Sequence, residues 1–211
     1  MTELILIRHG VTAWNRERRF QGQIDIPLDD EGHWQAGRLA AALAGEPLGA
    51  IYASDLSRAW HTARPLAETL GLGPTPEPRL RERFYGAFEG RTFDELQRDA
   101  AEDFARWRAR DPDFALPGGG ETLRALYARV EALLLALARR HPGERIAAVT
   151  HGGVLDCAYR VATGLGLSEP RHHDLLNASV NRIAFDGEGF RLVSWGEVEH
   201  LRRADDAIEG D

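Results

Sequence analysis

The chain has 211 residues, with 33 acidic side chains against 26 basic ones and a formal net charge of −7. That balance argues against nucleic acid or an anionic membrane as a partner, since both ask for a basic face. All the basic residues are arginine, so chemistry that needs lysine is excluded, namely the P-loop phosphate clamp and Schiff-base formation.

Leu4-Ile5-Leu6-Ile7 is a continuous apolar run, as expected for a strand buried on both faces of a parallel sheet. Asp30-Glu31-Gly32 opens a helical pattern that runs to about Leu43, where Gly45 and Pro47 stop it. Ala50 to Ala53 reads as a second strand, and Ser54 or Asp55 is placed to cap a helix running to Leu70. Residues 73–78 are proline-rich and read as an extended connection. One or two surface helices are expected over 92–110, a glycine loop at 117–120 and a long helix from Glu121 to Arg140. Arg145 to Thr150 is a third strand followed by a helix from about Gly153, and 180–198 alternates around Asp186-Gly187 as an antiparallel pair. Strands alternating with helices imply an α/β fold, a mostly parallel central sheet with helices on both faces, in one domain spanning 1–211.

No run approaches the roughly 20 apolar residues of a bilayer span, and Arg8 comes too soon for a signal-peptide core, so a cytoplasmic protein is expected. The single cysteine, Cys157, excludes an internal disulfide and reads as a small buried residue. Eight histidines leave metal ligation to consider, but none form His-Glu-x-x-His, and His172-His173 read as a surface turn. Neither a metal nor another cofactor is assigned.

Ligands of open α/β sheets bind beyond the carboxyl ends of the strands. Here the first strand ends on Arg8-His9-Gly10, the second on Ser54-Asp55 just before Arg58, and the third on Thr150-His151-Gly152-Gly153. Any one of these residues alone has an ordinary structural explanation, and Glu82 within Leu80-Arg81-Glu82-Arg83 reads equally as part of a solvated charge run. Their joint placement at strand ends points to an anion site made of guanidinium forks, imidazoles and backbone amides.

Ile7 to Asn15 resembles the Arg-His-Gly signature of the histidine phosphatase (phosphoglycerate mutase-like) superfamily, branch 1. Ser54 to Ala63, Leu80 to Gly90, Gly118 to Thr122 and Val149 to Gly153 resemble its other motifs, in family order from residue 4 to about 185. The resemblance implies a phosphomonoesterase for a small phosphorylated substrate, acting without metal through a phosphohistidine. It makes His9 the nucleophile, Glu82 the proton donor to the leaving group, and Arg8, Arg58 and His151 the groups around the phosphoryl. Asn15, Gln21, Gly22, Arg81, Tyr85 and Gly152 follow as substrate-binding residues. A homodimer is compatible with this reading.

Two rival readings share part of this pattern. A cofactor-dependent phosphoglycerate mutase shares the fold, and Arg19-Phe20-Gln21-Gly22 looks mutase-like, but the stretch between Gly90 and Gly118 lacks the lysine and paired-arginine pattern with which mutases hold a second anion. A non-catalytic phosphoryl-binding module is disfavoured because every motif residue is present. The cleft rim, with Phe84, Tyr85, Phe104 and Trp107, is left to decide the substrate.

Overall fold

The computed structural model describes residues 1–203. A six-stranded sheet has the order β3-β2-β4-β1-β5-β6, formed by β1 (Thr2–Arg8), β2 (Leu48–Ala53), β3 (Thr75–Pro76), β4 (Arg145–Thr150), β5 (Val180–Phe185) and β6 (Phe190–Glu197). Pairing is parallel from β3 through β2 and β4 to β1, and antiparallel from β1 to β5 and β5 to β6.

The helices are α1 (Ala13–Arg16), α2 (Asp30–Ala42), α3 (Ser57–Leu70), α4 (Phe93–Asp99), α5 (Ala101–Arg108), α6 (Leu123–Arg140) and α7 (Gly152–Thr163). Alternation along the strands explains the layers. Leu4 and Leu6 of β1 and Ile146 and Ala148 of β4 pack with α6 and α7, while Ile5, Ile7, Ala147 and Val149 pack with α2 and α3. Cys157 lies in the first of these cores, completely buried, and burial pushes its thiol up. A third, aromatic cluster of Phe20, Phe88, Leu96, Phe104, Phe114 and Leu116 builds a cap beside the sheet.

Some local expectations are corrected. Neither Ser54 nor Asp55 caps α3. The cap position is Leu56, with no side-chain bond, and the first helical amide, that of Ser57, donates to Asp25 Oδ1 at 2.7 Å. The 73–78 connection contributes the two-residue strand β3. The long helix starts at Leu123, where Thr122 accepts from the Ala125 amide. Helix α1, closed by a Thr12–Asn15 capping box, was too short to show as periodicity. No helix among the described residues is long and apolar enough to cross a membrane.

Candidate active site

Parallel register brings the strand-end motifs together. Arg8 pairs with Thr150 across β1 and β4, so His9 and His151 leave adjacent strands at the same level, with ring centroids 5.1 Å apart. The His9 amide donates to the Thr150 carbonyl at 2.9 Å and the Ser54 amide to the Val149 carbonyl at 2.9 Å. The three strand ends are thereby stitched into one floor.

His9 is 3% exposed, and its Nδ1 lies 2.7 Å from the Gly10 carbonyl oxygen. A carbonyl can only accept, so Nδ1 carries the proton and the Nε2 lone pair is left free. Burial, and then the charges of Arg58 and Arg8, hold this imidazole well below its usual pKa. Three further contacts fix the loop. The Gly10 amide donates to Thr62 Oγ1 at 3.0 Å, Asn177 Nδ2 donates to the His9 carbonyl at 2.9 Å, and the Ala178 amide donates to the same carbonyl at 3.2 Å. Gly10 is required here because a Cβ would meet the Gly32 carbonyl oxygen at 2.6 Å.

His151 is completely buried, and its Nε2 lies 2.8 Å from Ser54 Oγ. Its Nδ1 is buried with no hydrogen-bond partner among the described residues. Burial and the Arg58 charge lower its pKa as well. Arg58, in the first turn of α3, is completely buried and donates to the carbonyls of Gly22 (2.6 Å) and Ile24 (2.9 Å), while burial brings its guanidinium down to about 10. Arg8 donates to the Leu175 carbonyl. The Nε atoms of both arginines are buried without a partner among the described residues. Arg58 is completely buried and Arg8 half-buried, each has a free donor and neither makes an ion pair among the described residues, an arrangement costly to keep unless an anion joins them.

Glu82, 9% exposed, accepts from the Arg83 amide at 2.7 Å and the Gly153 amide at 3.0 Å. Gly153 sits in the first turn of α7, and a Cβ there would meet Glu82 Oε1 at 2.3 Å. A side-chain carboxylate can yield where backbone cannot, so Gly153→Ala is expected to leave the unfolding midpoint nearly unchanged. It should lower kcat by roughly 10²-fold, the effect of a displacement of about 1 Å at a reacting group. Paired thermal melts and turnover measurements check this.

Arg8, His9, Arg58, Glu82 and Gly153 line a cleft of about 640 Å³ that also takes in Asn15, Gln21, Gly22, Tyr85 and Gly152, while His151 lies outside the lining, completely buried beside the His9 ring. Asn15 spends its Oδ1 on the Thr12 amide and hydroxyl, so its Nδ2 is the group left to donate. Gly22 serves through its carbonyl, which fixes Arg58. Arg81 does not join them. It makes a two-pronged pair with Asp55 and is absent from the cleft lining. Of the aromatic rim, Tyr85 and Trp107 line the cleft, Phe104 is core, and Phe84 is exposed elsewhere.

Several residues at the cleft carried no spacing signal. Arg83 is 6% exposed, and its guanidinium donates to the Glu121 carbonyl at 2.8 Å, lies 5.7 Å from the Tyr85 ring centroid and makes no ion pair within the described residues. Asp156 on α7 accepts from Arg110 at 2.6 Å and Arg160 at 3.1 Å, with His173 Nε2 3.2 Å away. Burial works against its ionisation, yet His173, Arg110 and Arg160 hold it well below the carboxylate range. His173 is therefore no surface residue. Its side chain is 4% exposed and stacks on Tyr159 at 3.7 Å. Asp156 ties the cap, through Arg110, to the loop that carries Leu175.

The two lowered histidines make stability depend on pH. Both favour the neutral form when folded, so their contribution is complete above the unfolded value of about 6.5 and is lost as pH falls below it. Each costs about 1.4 kcal/mol per pH unit over that window. Urea unfolding at pH 7.5 and 5 is expected to show the loss, and a His151→Phe variant should show less of it.

Buried guanidiniums, an imidazole with a free lone pair and a carboxylate on a helix N-terminus together make a phosphoryl-transfer site. The chain matches the histidine phosphatase superfamily (branch 1) over residues 4–198 and belongs to it. It is 39% identical over 202 residues to phosphoglycerate mutase-like protein 4 of Arabidopsis thaliana, covering 94% of this chain and 86% of that one. It is 38% identical over 204 residues to the metal-independent phosphoserine phosphatase of the same plant, covering 95% and 84%. The fold superimposes on a phosphoserine phosphatase from Entamoeba histolytica in complex with 3-phosphoglyceric acid, with a TM-score of 0.87 and 28% identity over 96% of this chain and 100% of that one. The chain is a phosphoric monoester hydrolase acting on small phosphorylated metabolites.

Proposed function

We propose that His9 is the nucleophile of a two-step phosphatase reaction in which Glu82 moves the proton. The observation that carries this reading is the His9 tautomer, with Nδ1 occupied by the Gly10 carbonyl and Nε2 free in a pocket walled by Arg8 and Arg58. In the first step the His9 Nε2 to phosphorus bond forms as the ester P–O bond breaks, and Glu82 delivers a proton to the departing oxygen. In the second, water attacks the phosphohistidine, Glu82 takes its proton, and free phosphate leaves with His9 restored.

Arg8, Arg58, the Gly152 amide and Asn15 Nδ2 are donors for the phosphoryl oxygens. The unsatisfied Nδ1 of His151 suits the same role, since a dianionic phosphate beside it favours the protonated imidazole. Fixed arginine charge stabilises the spreading negative charge of the transition state, so the reading calls for no metal. Gln21, Tyr85 and Arg83 flank the leaving group. The site of action is cytoplasmic in this reading, nucleic acid has no part in it, and a homodimer is compatible with it.

One observation keeps a mutase arm in the test. The stretch between Gly90 and Gly118 lacks the paired-arginine pattern of mutases, yet the fold brings Arg108 and Arg110 from it to the cleft. The deciding experiment measures free phosphate from a panel of monoesters in chelator, and in parallel the conversion of 3-phosphoglycerate to 2-phosphoglycerate. Phosphate release without isomerisation is the expected result. Isomerisation outrunning release would overturn it.

A further inference from the structure

Glu82 lies between two short turns, Pro78–Leu80 and Gly86–Phe88, in a stretch with no regular structure of its own to hold it. Its backbone is held from outside instead. The Thr150 hydroxyl donates to the Leu80 carbonyl at 2.7 Å, and Gln23 Nε2 donates to the Glu82 carbonyl at 3.2 Å. The larger share falls to Arg129 on α6 and to Glu121 just before it, neither of which lines the cleft.

Arg129 Nη1 donates both to the Arg79 carbonyl at 2.6 Å and to the Arg81 carbonyl at 3.0 Å. Its Nε and Nη2 meanwhile hold the two oxygens of the Glu121 carboxylate at 3.1 and 2.9 Å. Glu121 closes the bracket through its backbone, where its amide donates to the Phe84 carbonyl and its carbonyl accepts from Arg83 Nε, each at 2.8 Å. The chain is thus gripped just before Glu82 and again just after it. From that short span hangs the Glu82 carboxylate, steadied at its far end by the Arg83 and Gly153 amides. Charge balance alone would not call for this arrangement. A lysine could neutralise Glu121, but only the rigid guanidinium fork holds a carboxylate with two donors while a third donor serves carbonyls two residues apart.

We propose that Arg129, braced by Glu121, is a positioning residue for the proton-transfer step, setting the backbone on both sides of Glu82 so that its carboxyl meets the departing oxygen. The inference rests on the reading of Glu82 as the group that moves the proton. Arg129 touches neither substrate nor phosphoryl group, so it matters only where Glu82 matters.

The test compares two esters on the full chain. Glycerol 3-phosphate needs a proton on its leaving oxygen, and p-nitrophenyl phosphate does not. Arg129→Met is expected to lower kcat on glycerol 3-phosphate by roughly 10²-fold, the effect of a displacement of about 1 Å at a reacting group, and on p-nitrophenyl phosphate by less than about threefold. In a Glu82→Gln background the same substitution should add almost nothing, because residues that act as a unit are not additive. Arg129→Lys keeps a cation beside Glu121, and with it the unfolding midpoint, but lacks the fork. It should show the same ester-selective loss at about tenfold, and it judges the proposal should Arg129→Met fail to fold. Wild-type rates or equal losses on both esters in Arg129→Lys overturn the positioning role, as does a loss from Arg129→Met that persists in full beside Glu82→Gln. The single Glu82→Gln variant separates the two claims. Equal losses on both esters there overturn the proton assignment and the brace with it, whereas a selective loss there and none in the Arg129 variants overturns the brace alone.

Discussion

Replacing His9 with alanine is expected to abolish turnover, by on the order of 10⁴-fold or more, while the fold survives. The side chain removed is 3% exposed, yet its ring makes only one bond, to the neighbouring carbonyl, so what is lost is the free Nε2 and little packing. The loop itself is held by groups that alanine leaves untouched, the Gly10 amide on Thr62 and the His9 carbonyl under Asn177 and Ala178. Circular dichroism should match the wild type, and removal of a buried imidazole that prefers to stay neutral should flatten the acid limb of its stability curve. Trapping with labelled substrate under rapid acid-free quench should give phosphoprotein in the wild type and none in the variant. Unchanged activity in His9→Ala would remove the central claim.

The second large effect belongs to Glu82. Glu82→Gln keeps the size and can still accept one backbone amide, but it cannot pass a proton to a departing alkoxide. Loss of a general acid typically costs about 10²–10⁴-fold, and the loss depends on how much the leaving group needs the proton. Phosphoserine and glycerol phosphate should therefore slow by that amount. p-Nitrophenyl phosphate, whose leaving group departs unaided, should slow far less. Equal losses on both kinds of ester would assign the proton to another group. This experiment separates Glu82 from Gly153→Ala, which moves the carboxylate without removing it and should slow both esters in proportion to their need of it.

Much of this architecture is legible in the sequence, for identifiable reasons. The strand at Leu4 to Ile7 and the one at Arg145 to Thr150 announce themselves because strands buried on both faces are uninterrupted in apolar residues. Once they are taken as parallel neighbours, the convergence of His9 and His151 follows from register alone. Arg81 shows where such reasoning stops. It adjoins Glu82 in sequence, but backbone direction sends it to Asp55, while Arg83, two residues on, is the one that reaches the cleft. Asn177 was invisible for a different reason. It lies 168 residues from His9 and acts through one amide, so no periodicity or spacing marks it. His173 was misplaced because adjacent histidines look polar, and only the ring of Tyr159 and the carboxylate of Asp156 make a buried setting for it.

The contacts that hold the His9 loop also bear on how the molecule comes into being. His9, Arg58, Glu82 and His151 have all been synthesised by residue 151 of 211, but the Leu175 carbonyl that holds Arg8, the Asn177 amide on His9 and the β5 strand that flanks β1 come later. A nascent polypeptide paused before this segment carries all four of those side chains and the Thr62 hydroxyl that takes the Gly10 amide, but lacks the Leu175 and Asn177 contacts and the flanking strand. Its catalytic competence should therefore switch on late and abruptly, as the final hairpin docks, so that partly made chains cannot hydrolyse the metabolite pool around the ribosome.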